Sequence, residues 1–341
     1  MIILILLNHK QYNLKTNMIK TSLPILALVF PVLLSNCTNS NIQEDGSTSK
    51  NSVLIDTIQG TSLLGEKLVS EQPDPEKDSV TIANYILAKK EYEKNSGDAD
   101  AIIWYGRRTA YLGDYKKAID IYSEGTEKFP EEPRMYRHRG HRYISIREFD
   151  KAIEDLRKAA ELIEGKPDVI EQDGIPNSRN TPVSTLNTNI WYHLGLAHYL
   201  KGNMQAALDG FQKSLDASTN PDMHVAAANW VYMIHRRMGN PEEAAEILMP
   251  INSDMDVFEN VAYHNLLLFY KGLLTEDDLK GDDQDLEYMN DATAYGIGNW
   301  YFYNGDTTRA KEIFSRILDN GIWASFGSLA AEADLYMLSD E

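Results

Sequence analysis

A spacing of 34 residues recurs in the middle of the chain and constrains its fold more than any other feature. The segments GRRTAYLGDYKKAIDIY, which starts at Gly106, and GHRYISIREFDKAIEDL, which starts at Gly140, align without a gap. Small, aromatic or large apolar residues hold equivalent positions in both segments: Gly106 and Gly140, Tyr115 and Phe149, Ala118 and Ala152, Tyr122 and Leu156. A unit of this length cannot bury its apolar face alone, so neighbouring units must stack.

Three further segments carry the same pattern towards the carboxyl end. NIWYHLGLAHYLKGNMQAALDGF carries Trp191, Leu194, Gly195, Ala207 and Phe211, NWVYMIHRRMGNPEEAAEIL carries Gly239 and Ala244, and GIGNWYFYNGDTTRAKEIF carries Gly298, Gly305, Ala310 and Phe314. The 55 residues from Ala152 to Ala207 are one period plus an insertion. The 66 residues from Ala244 to Ala310 leave room for a degenerate unit, which we assign to Tyr263–Leu279.

This pattern resembles the tetratricopeptide repeat (TPR), which has a 34-residue period with small residues where two helices cross. The resemblance implies an all-α fold, a right-handed superhelix of helix–turn–helix repeats whose first helices line a binding groove for proteins or peptides. We expect a docking segment and capping helix at residues 53–98. The solenoid then occupies residues 99–341, with about six repeats, an insertion at 165–187 and a closing helix at FGSLAAEADLYML.

The amino terminus is typical of an export signal. From a possible start at Met18, a lysine precedes the apolar run from Leu23 to Leu34, which is 12 residues long and too short to span a bilayer. LLSNC then ends at Cys37, the only cysteine of the chain, and resembles a bacterial lipobox. We therefore expect residues 1–36 to be a signal peptide and residues 37–52 a flexible tether after a lipidated Cys37.

That reading makes the protein an exported lipoprotein, anchored at a periplasmic or outer-membrane face. The alternatives are a leader cleaved elsewhere and a translation start that leaves the cysteine without a role. An unpaired thiol in an exported protein otherwise needs its own explanation.

Charge is distributed unevenly along the chain. The sequence has 51 acidic and 33 basic residues, yet RMYRHRGHRYISIR, from Arg134 to Arg147, contains five arginines, two histidines and no carboxylate. The overall acidity excludes a broad nucleic-acid-binding surface, which needs many basic side chains. A local basic patch still suits a small anionic or acidic ligand.

Helical spacing and the repeat register place this patch in the expected groove. The candidate ligand-binding residues are Trp104, Arg107, Tyr111, Arg134, Arg137, His138, His141, Tyr192, His193, Tyr199, Asn229, Trp230 and Arg236. Guanidinium groups pair with carboxylates and aromatic rings add contact area, so we expect an acidic protein or peptide partner. Charge reversal at Arg107 and Arg137 should then remove binding with little effect on stability.

The competing interpretation is that these arginines pair with acids of neighbouring helices, such as Glu154 and Asp155. Exposed ion pairs of that kind contribute little to stability. Arg139 stands where Tyr105 and Leu194 stand in other repeats, so we expect its stem to be buried between the paired helices.

The insertion at 165–187 contains three prolines and lacks a helical period. A long irregular segment in a compact domain is usually functional or mobile. We expect it to fold over the edge of the groove and to bring Asn177, Arg179 and Asn180 to a ligand. A flexible excursion is the alternative.

Catalytic, metal and cofactor motifs are absent from the sequence. His138 and His141 are spaced for a metal, but the arginines around them oppose a cation. The sequence therefore favours a binding module without a cofactor. An enzyme or enzyme subunit acting on an anionic glycan or peptide, and a carbohydrate-uptake lipoprotein, remain the alternatives.

Overall fold

A computed structural model describes residues 53–281 and 288–339. The expected signal peptide, tether and lipidated Cys37 lie outside the described residues. Within the described part, no helix combines the length and apolar character needed to cross a bilayer.

Helices form almost all of the described structure. The helices are α1 (Ser79–Lys94), α2 (Ala99–Tyr111), α3 (Tyr115–Lys128), α4 (Pro133–Ser145), α5 (Phe149–Ile163), α6 (Leu186–Leu200), α7 (Met204–Asp216), α8 (Pro221–Arg237), α9 (Pro241–Leu248), α10 (Val261–Tyr270), α11 (Asp291–Tyr303), α12 (Thr307–Asp319) and α13 (Phe326–Met337). A 3-10 turn spans Asp277–Leu279, and the antiparallel strands β1 (Ile58–Thr61) and β2 (Lys67–Val69) form a hairpin before α1.

Five helix pairs follow the repeat register found in the sequence: α2 with α3, α4 with α5, α6 with α7, α8 with α9, and α11 with α12. The signature alanine in the second helix of every pair is fully buried; these are Ala118, Ala152, Ala207, Ala244 and Ala310. The fold is the all-α, TPR-type architecture that the repeat predicts.

Glycine allows the two helices of a pair to approach closely. A Cβ on Gly106 would lie 2.5 Å from Tyr122, and one on Gly298 would lie 2.6 Å from Phe314. In α8 the equivalent position holds Tyr232, whose ring stacks on Tyr270 of α10 at 4.5 Å. The second helix of this fourth pair, α9, is also the shortest of the five second helices.

The fifth unit is only half formed. Its first helix is α10, but a 3-10 turn at Asp277–Leu279 stands where the sequence analysis expected a second helix. The docking segment at residues 53–98 contains the β1–β2 hairpin before its helix, and no strand was predicted there.

The turn between paired helices uses a left-handed backbone conformation in all five pairs. Four of these positions hold glycine, and the second pair holds Arg147 with φ of 68°. A residue with a Cβ atom in this left-handed backbone conformation is less stable by about 1–2 kcal/mol. Contacts of the Arg147 side chain offset this cost: it pairs with Glu332 at 2.5 Å and donates to the Trp323 carbonyl at 2.9 Å.

The carboxyl-terminal helix α13 lies across the first helices of several repeats. Its Phe326 ring contacts His141 of α4 and His193 of α6, with ring centroids 5.6 and 5.7 Å apart. Its Asp334 pairs with Arg237 of α8 and accepts a hydrogen bond from Tyr295 of α11 at 2.9 Å. We call the surface that these first helices form the inner face.

Candidate functional site

The expected groove is largely filled by the chain itself. Helix α13 covers the inner face from the second repeat onwards, and the insertion covers that of the first two repeats. Five predicted groove residues are fully or almost fully buried, namely Tyr192, His193, Tyr199, Asn229 and Trp230. The prediction that they line an open groove is therefore corrected: they belong to the core beneath α13.

The buried aromatic residues interlock across repeats. Trp230 Nε1 donates a hydrogen bond to Tyr192 Oη at 2.5 Å, and the Trp230 ring stacks on Phe211 with centroids 5.3 Å apart. Tyr199 Oη lies 2.5 Å from Tyr295 Oη. These contacts join the third, fourth and last repeats and leave no ring face open to a ligand there.

The first limb of the insertion, residues 169–174, lies on α2 and α4. Arg107 donates a hydrogen bond to the Gln172 carbonyl at 2.8 Å, and Arg108 donates one to the Gly174 carbonyl at 2.7 Å. A side chain on Gly174 would overlap the Tyr111 ring, so glycine permits this close approach. The insertion therefore folds over the inner face.

Glu171 of the insertion reaches the centre of the arginine-rich patch. Its carboxylate lies 3.2 Å from Arg137 Nε and 3.1 Å from His138 Nε2, and all three side chains are buried. Asn189 of α6 donates a further hydrogen bond to Glu171 at 2.8 Å. A carboxylate of the chain itself thus takes the place expected for an acidic ligand.

Burial and charge set the protonation states in this cluster. Burial raises the pKa of Glu171, but Arg137 and His138 outweigh it and hold that pKa well below its usual range. Burial, with Arg137 beside it, lowers the pKa of His138 to about 3. His138 is therefore neutral at pH 7, and its Nδ1 accepts from Arg137 Nη1 at 2.9 Å, which places its proton on Nε2.

Two histidines of the predicted groove pack against each other, with His193 buried and His141 partly buried. The rings of His141 and His193 lie 4.3 Å apart, and both contact Phe326. Burial lowers the pKa of each well below its usual value, with neighbouring arginines adding to the effect. His193 Nδ1 donates to the Asn189 carbonyl at 2.6 Å.

The outer arginines of α4 have partners of their own. Arg134 pairs with Asp100 at 2.6 Å and with Glu132 at 2.8 Å. Arg139 makes two hydrogen bonds of 2.7 Å to Asp155. Arg139 also donates to hydroxyl groups of α3, so its stem lies between helices as expected.

The tip of the insertion contacts the loop before α10. Arg179 pairs with Asp256 at 2.6 Å, and its guanidinium lies 4.1 Å from the Phe258 ring centroid. Asn177 donates to Glu259 at 2.8 Å. Asn180 is exposed, with φ of 50°. The structure thus gives Asn177 and Arg179 partners within the chain.

An open groove remains between α2, α4 and the first limb of the insertion. It has a volume of about 600 Å³, and Trp104, Arg107, Arg134 and His138 of the predicted set line it. Apolar residues of the helices and insertion share the lining: Ile103, Ile163, Val169, Ile170 and Leu186. We call this cavity the α2–α4 groove.

The other predicted residues lie away from this groove. Tyr111 contacts Arg107 and the insertion at the far side of the cluster. Arg236 stacks on Tyr303 at 4.5 Å and donates to Asn304 at 3.0 Å, near the carboxyl-terminal end of the solenoid.

Sequence reasoning missed three determinants of the site: Glu171, Ile170 and Phe326. Glu171 is one of 51 acidic residues, and nothing in its local sequence predicts that it will be buried. Phe326 belongs to a helix that is apolar around most of its circumference, which is the signal of a helix buried on all sides.

Comparison with known proteins supports the repeat assignment. Residues 292–320 match the family model for the tetratricopeptide repeat. This segment spans most of α11 and α12, the last helix pair. With the five pairs in register, the match places the solenoid among TPR-type folds.

Solved structures of TPR proteins are similar to the chain at low identity. A TPR protein from Parabacteroides merdae is 13% identical, with 76% of this chain and 95% of that chain covered and a TM-score of 0.44. YrrB, described as a TPR protein with an unusual peptide-binding site, is 16% identical, with 70% and 95% covered and a TM-score of 0.38. A MamA protein is 15% identical, with 59% and 91% covered and a TM-score of 0.38.

The TPR-type fold indicates a module for protein–protein interaction. Within residues 53–281 and 288–339, no group of three or more His, Cys, Asp or Glu side chains is arranged to hold a metal ion.

Proposed function

We propose that the protein is a membrane-tethered interaction module that binds a short acidic segment of a partner protein in the α2–α4 groove. The observation that carries this proposal is the groove itself, about 600 Å³ on the inner face between two first helices. That volume is typical of sites that enclose a ligand or several side chains.

The lining suits a segment that carries both apolar and acidic side chains. Val169 and Ile170 are exposed at its rim, and the partly buried Trp104 ring supports the guanidinium of Arg107 at 4.4 Å. Exposed apolar residues beside an aromatic ring form the kind of patch that anchors a partner.

Basic side chains at the groove offer partners to acidic groups, beside the acidic lining residues Asp100, Glu131, Glu132 and Glu171. Lys166 is exposed at the groove and makes no ion pair with another described residue. A carboxylate of the partner would pair with Lys166, and it would compete with Asp100 and Glu132 for Arg134. Charge-assisted contacts of this kind add specificity and speed of association.

Binding of short synthetic peptides to the full chain tests the site. We expect an acidic, apolar peptide to bind more tightly than a neutral or basic one of equal length, as measured by fluorescence anisotropy. Ile170→Asp should weaken binding by about 10- to 100-fold, because an apolar anchor contributes about 1.5–3 kcal/mol when buried.

Leu87→Asp is the matched control, since Leu87 and Ile170 are both 64% exposed. Leu87 lies on α1, outside the groove lining. Equal loss of binding in both variants would place the partner elsewhere. Preference for the basic peptide would overturn the acidic partner while leaving the groove in place.

Membrane tethering rests on the position of Cys37 after the apolar run. We expect Cys37→Ser to move the protein from the membrane to the soluble fraction, since a lipid attached to the thiol would be lost. Mass spectrometry of the mature amino terminus is the direct check. An unmodified terminus at another residue would contradict the anchor without affecting the groove.

A further inference from the structure

A second, smaller cavity lies beneath the insertion and adjoins the α2–α4 groove, with which it shares Arg107, His138, Glu171 and Gln172. It has a volume of about 20 Å³ and is lined by residues of α2, α3, α4, α6 and the insertion. A cavity of roughly 10–15 Å³ on this scale holds one water molecule, so this one has room for one or two waters or a single-atom ion.

Positive charge dominates the walls of this cavity. Arg107, Arg137 and Arg142 line it, whereas Glu171 is its only carboxylate among the described residues. The histidines at the cavity, His138 and His141, are neutral at pH 7, because burial lowers the pKa of both. The buried walls thus carry a net charge of about +2.

Arg142 is the guanidinium without a counterion. Its side chain is 6% exposed, and its guanidinium carbon lies 5.2 Å from the centroid of the Tyr115 ring. Among residues 53–281 and 288–339, no carboxylate or hydrogen-bond acceptor pairs with Arg142. Burying an unpaired charge is costly, so an arginine of this kind needs an anion or water.

Two polar atoms around Glu171 lack a hydrogen bond of good geometry, namely Arg137 Nε and Glu171 Oε1. Arg137 Nε nevertheless lies 3.2 Å from Glu171 Oε2, and Glu171 Oε1 lies 3.1 Å from His138 Nε2. Glu171 and the side-chain amide oxygen of Asn189 oppose an anion, and the three guanidinium groups outweigh them.

We propose that this cavity binds one monoatomic anion of the chloride class between Arg142, Arg137 and Arg107. The volume excludes a phosphate, a sulfate or a peptide carboxylate unless the insertion moves. The bound anion neutralises charge on α2 and α4, which are the helices that the insertion covers. The site therefore links the docking of the insertion to the anion composition of the solution.

Thermal unfolding of the full chain tests this proposal. We compare sodium chloride and sodium bromide with sodium gluconate at equal ionic strength, because gluconate is too large for the cavity. Chloride and bromide should raise Tm by about 2–4 °C in a saturable manner, as a ligand at about ten times its Kd does. Equal Tm values in all three salts would overturn the proposal.

Two variants assign the effect to the cavity. Arg142→Met should abolish the difference between chloride and gluconate, because the unpaired charge is gone. Arg108→Met is the control: Arg108 also holds the insertion, through the Gly174 carbonyl, but does not line the cavity, so it should keep the difference. Loss of the difference in both variants, or in neither, would contradict the site.

A crystal of the wild-type protein grown in bromide gives a second measurement that does not depend on variant folding. We expect an anomalous peak within hydrogen-bond distance of Arg142. Absence of that peak, or stabilisation by phosphate as strong as by chloride, would exclude a monoatomic anion. Both outcomes leave peptide binding in the α2–α4 groove unaffected, so the two proposals fail separately.

Discussion

The inner face of the solenoid has two covers, and they are built differently. Helix α13 covers the solenoid from the second repeat onwards through two deeply buried ion pairs, Arg147 with Glu332 and Arg237 with Asp334. The insertion covers the first repeats with backbone carbonyls, one carboxylate and a small cavity. Its outer contact, Arg179 with Asp256, is exposed.

The exposure of these contacts indicates which parts of the covers open first. Breaking a buried, satisfied ion pair strands a charge, whereas an exposed pair is replaced by water at little cost. The Glu171–Arg137 pair of the insertion is buried like the pairs of α13, so we expect the tip of the insertion around Arg179 to open before any of these buried contacts. Three changes test this division.

The largest effect is expected from the α13 cover. Asp334→Ala leaves Arg237 buried without its partner and removes the acceptor of the Tyr295 hydroxyl. We expect a loss of about 3–5 kcal/mol in the free energy of unfolding, measured by urea titration. Asp256→Ala removes the exposed partner of Arg179 and should leave the free energy of unfolding nearly unchanged. Similar losses in both variants would erase the distinction between the covers.

A smaller effect is expected from acid, acting at the insertion. The pKa of His138 is about 3 in the folded protein and about 6.5 when unfolded, so the unfolded chain binds the extra proton first. Stability present at pH 7 is therefore lost as pH falls, by about 2–4 kcal/mol at pH 4. The lowered pKa of Glu171 acts in the same direction at still lower pH.

Calorimetry of the His138→Gln variant checks this assignment. The variant should show a flatter decline of Tm between pH 7 and pH 4 than the wild type does. A variant as acid-sensitive as the wild type would assign the loss to other groups, such as His141 and His193.

The smallest effect on stability is expected at the tip of the insertion. Arg179→Ala should leave the free energy of unfolding nearly unchanged, because that pair is exposed. It should nevertheless speed cleavage by a glutamate-specific protease after Glu171 several-fold, because this buried residue is reached only when the insertion opens. Equal acceleration of cleavage after Glu332, which is buried in α13, would mean that the variant opens the whole molecule.

The repeats were predictable because their determinants are local. Glycine and alanine recur at fixed spacing where helices cross, so Gly106, Gly298 and the buried alanines were identifiable without a structure. The fifth unit has a 3-10 turn in place of the expected second helix, and the glycine and alanine spacing is absent from that part of the sequence. The β1–β2 hairpin escaped prediction because its strands are four and three residues long.

The site was less predictable because long-range packing decides it. The period predicts that Arg107 and Arg137 face the groove, but it cannot show that the insertion buries them. Charge reversal at either position, expected from the sequence to leave stability unchanged, now implies strong destabilisation, because a carboxylate in place of Arg137 would face Glu171. The alternative of pairing within the chain holds for Arg134 and Arg139.

The two ends of the described chain meet at the second repeat. The backbone N–H of Leu63 donates to Glu332 at 2.8 Å, and the Trp323 indole donates to the Val69 carbonyl at 2.8 Å. Stacked repeats with local contacts can assemble one after another, but contacts between residues more than 250 positions apart form slowly. Of the described elements, the hairpin is synthesised first and α13 last. The inner face therefore stays uncovered until α13 has been synthesised. The time spent in that open intermediate, rather than the stability of any one repeat, is expected to limit the yield of folded protein.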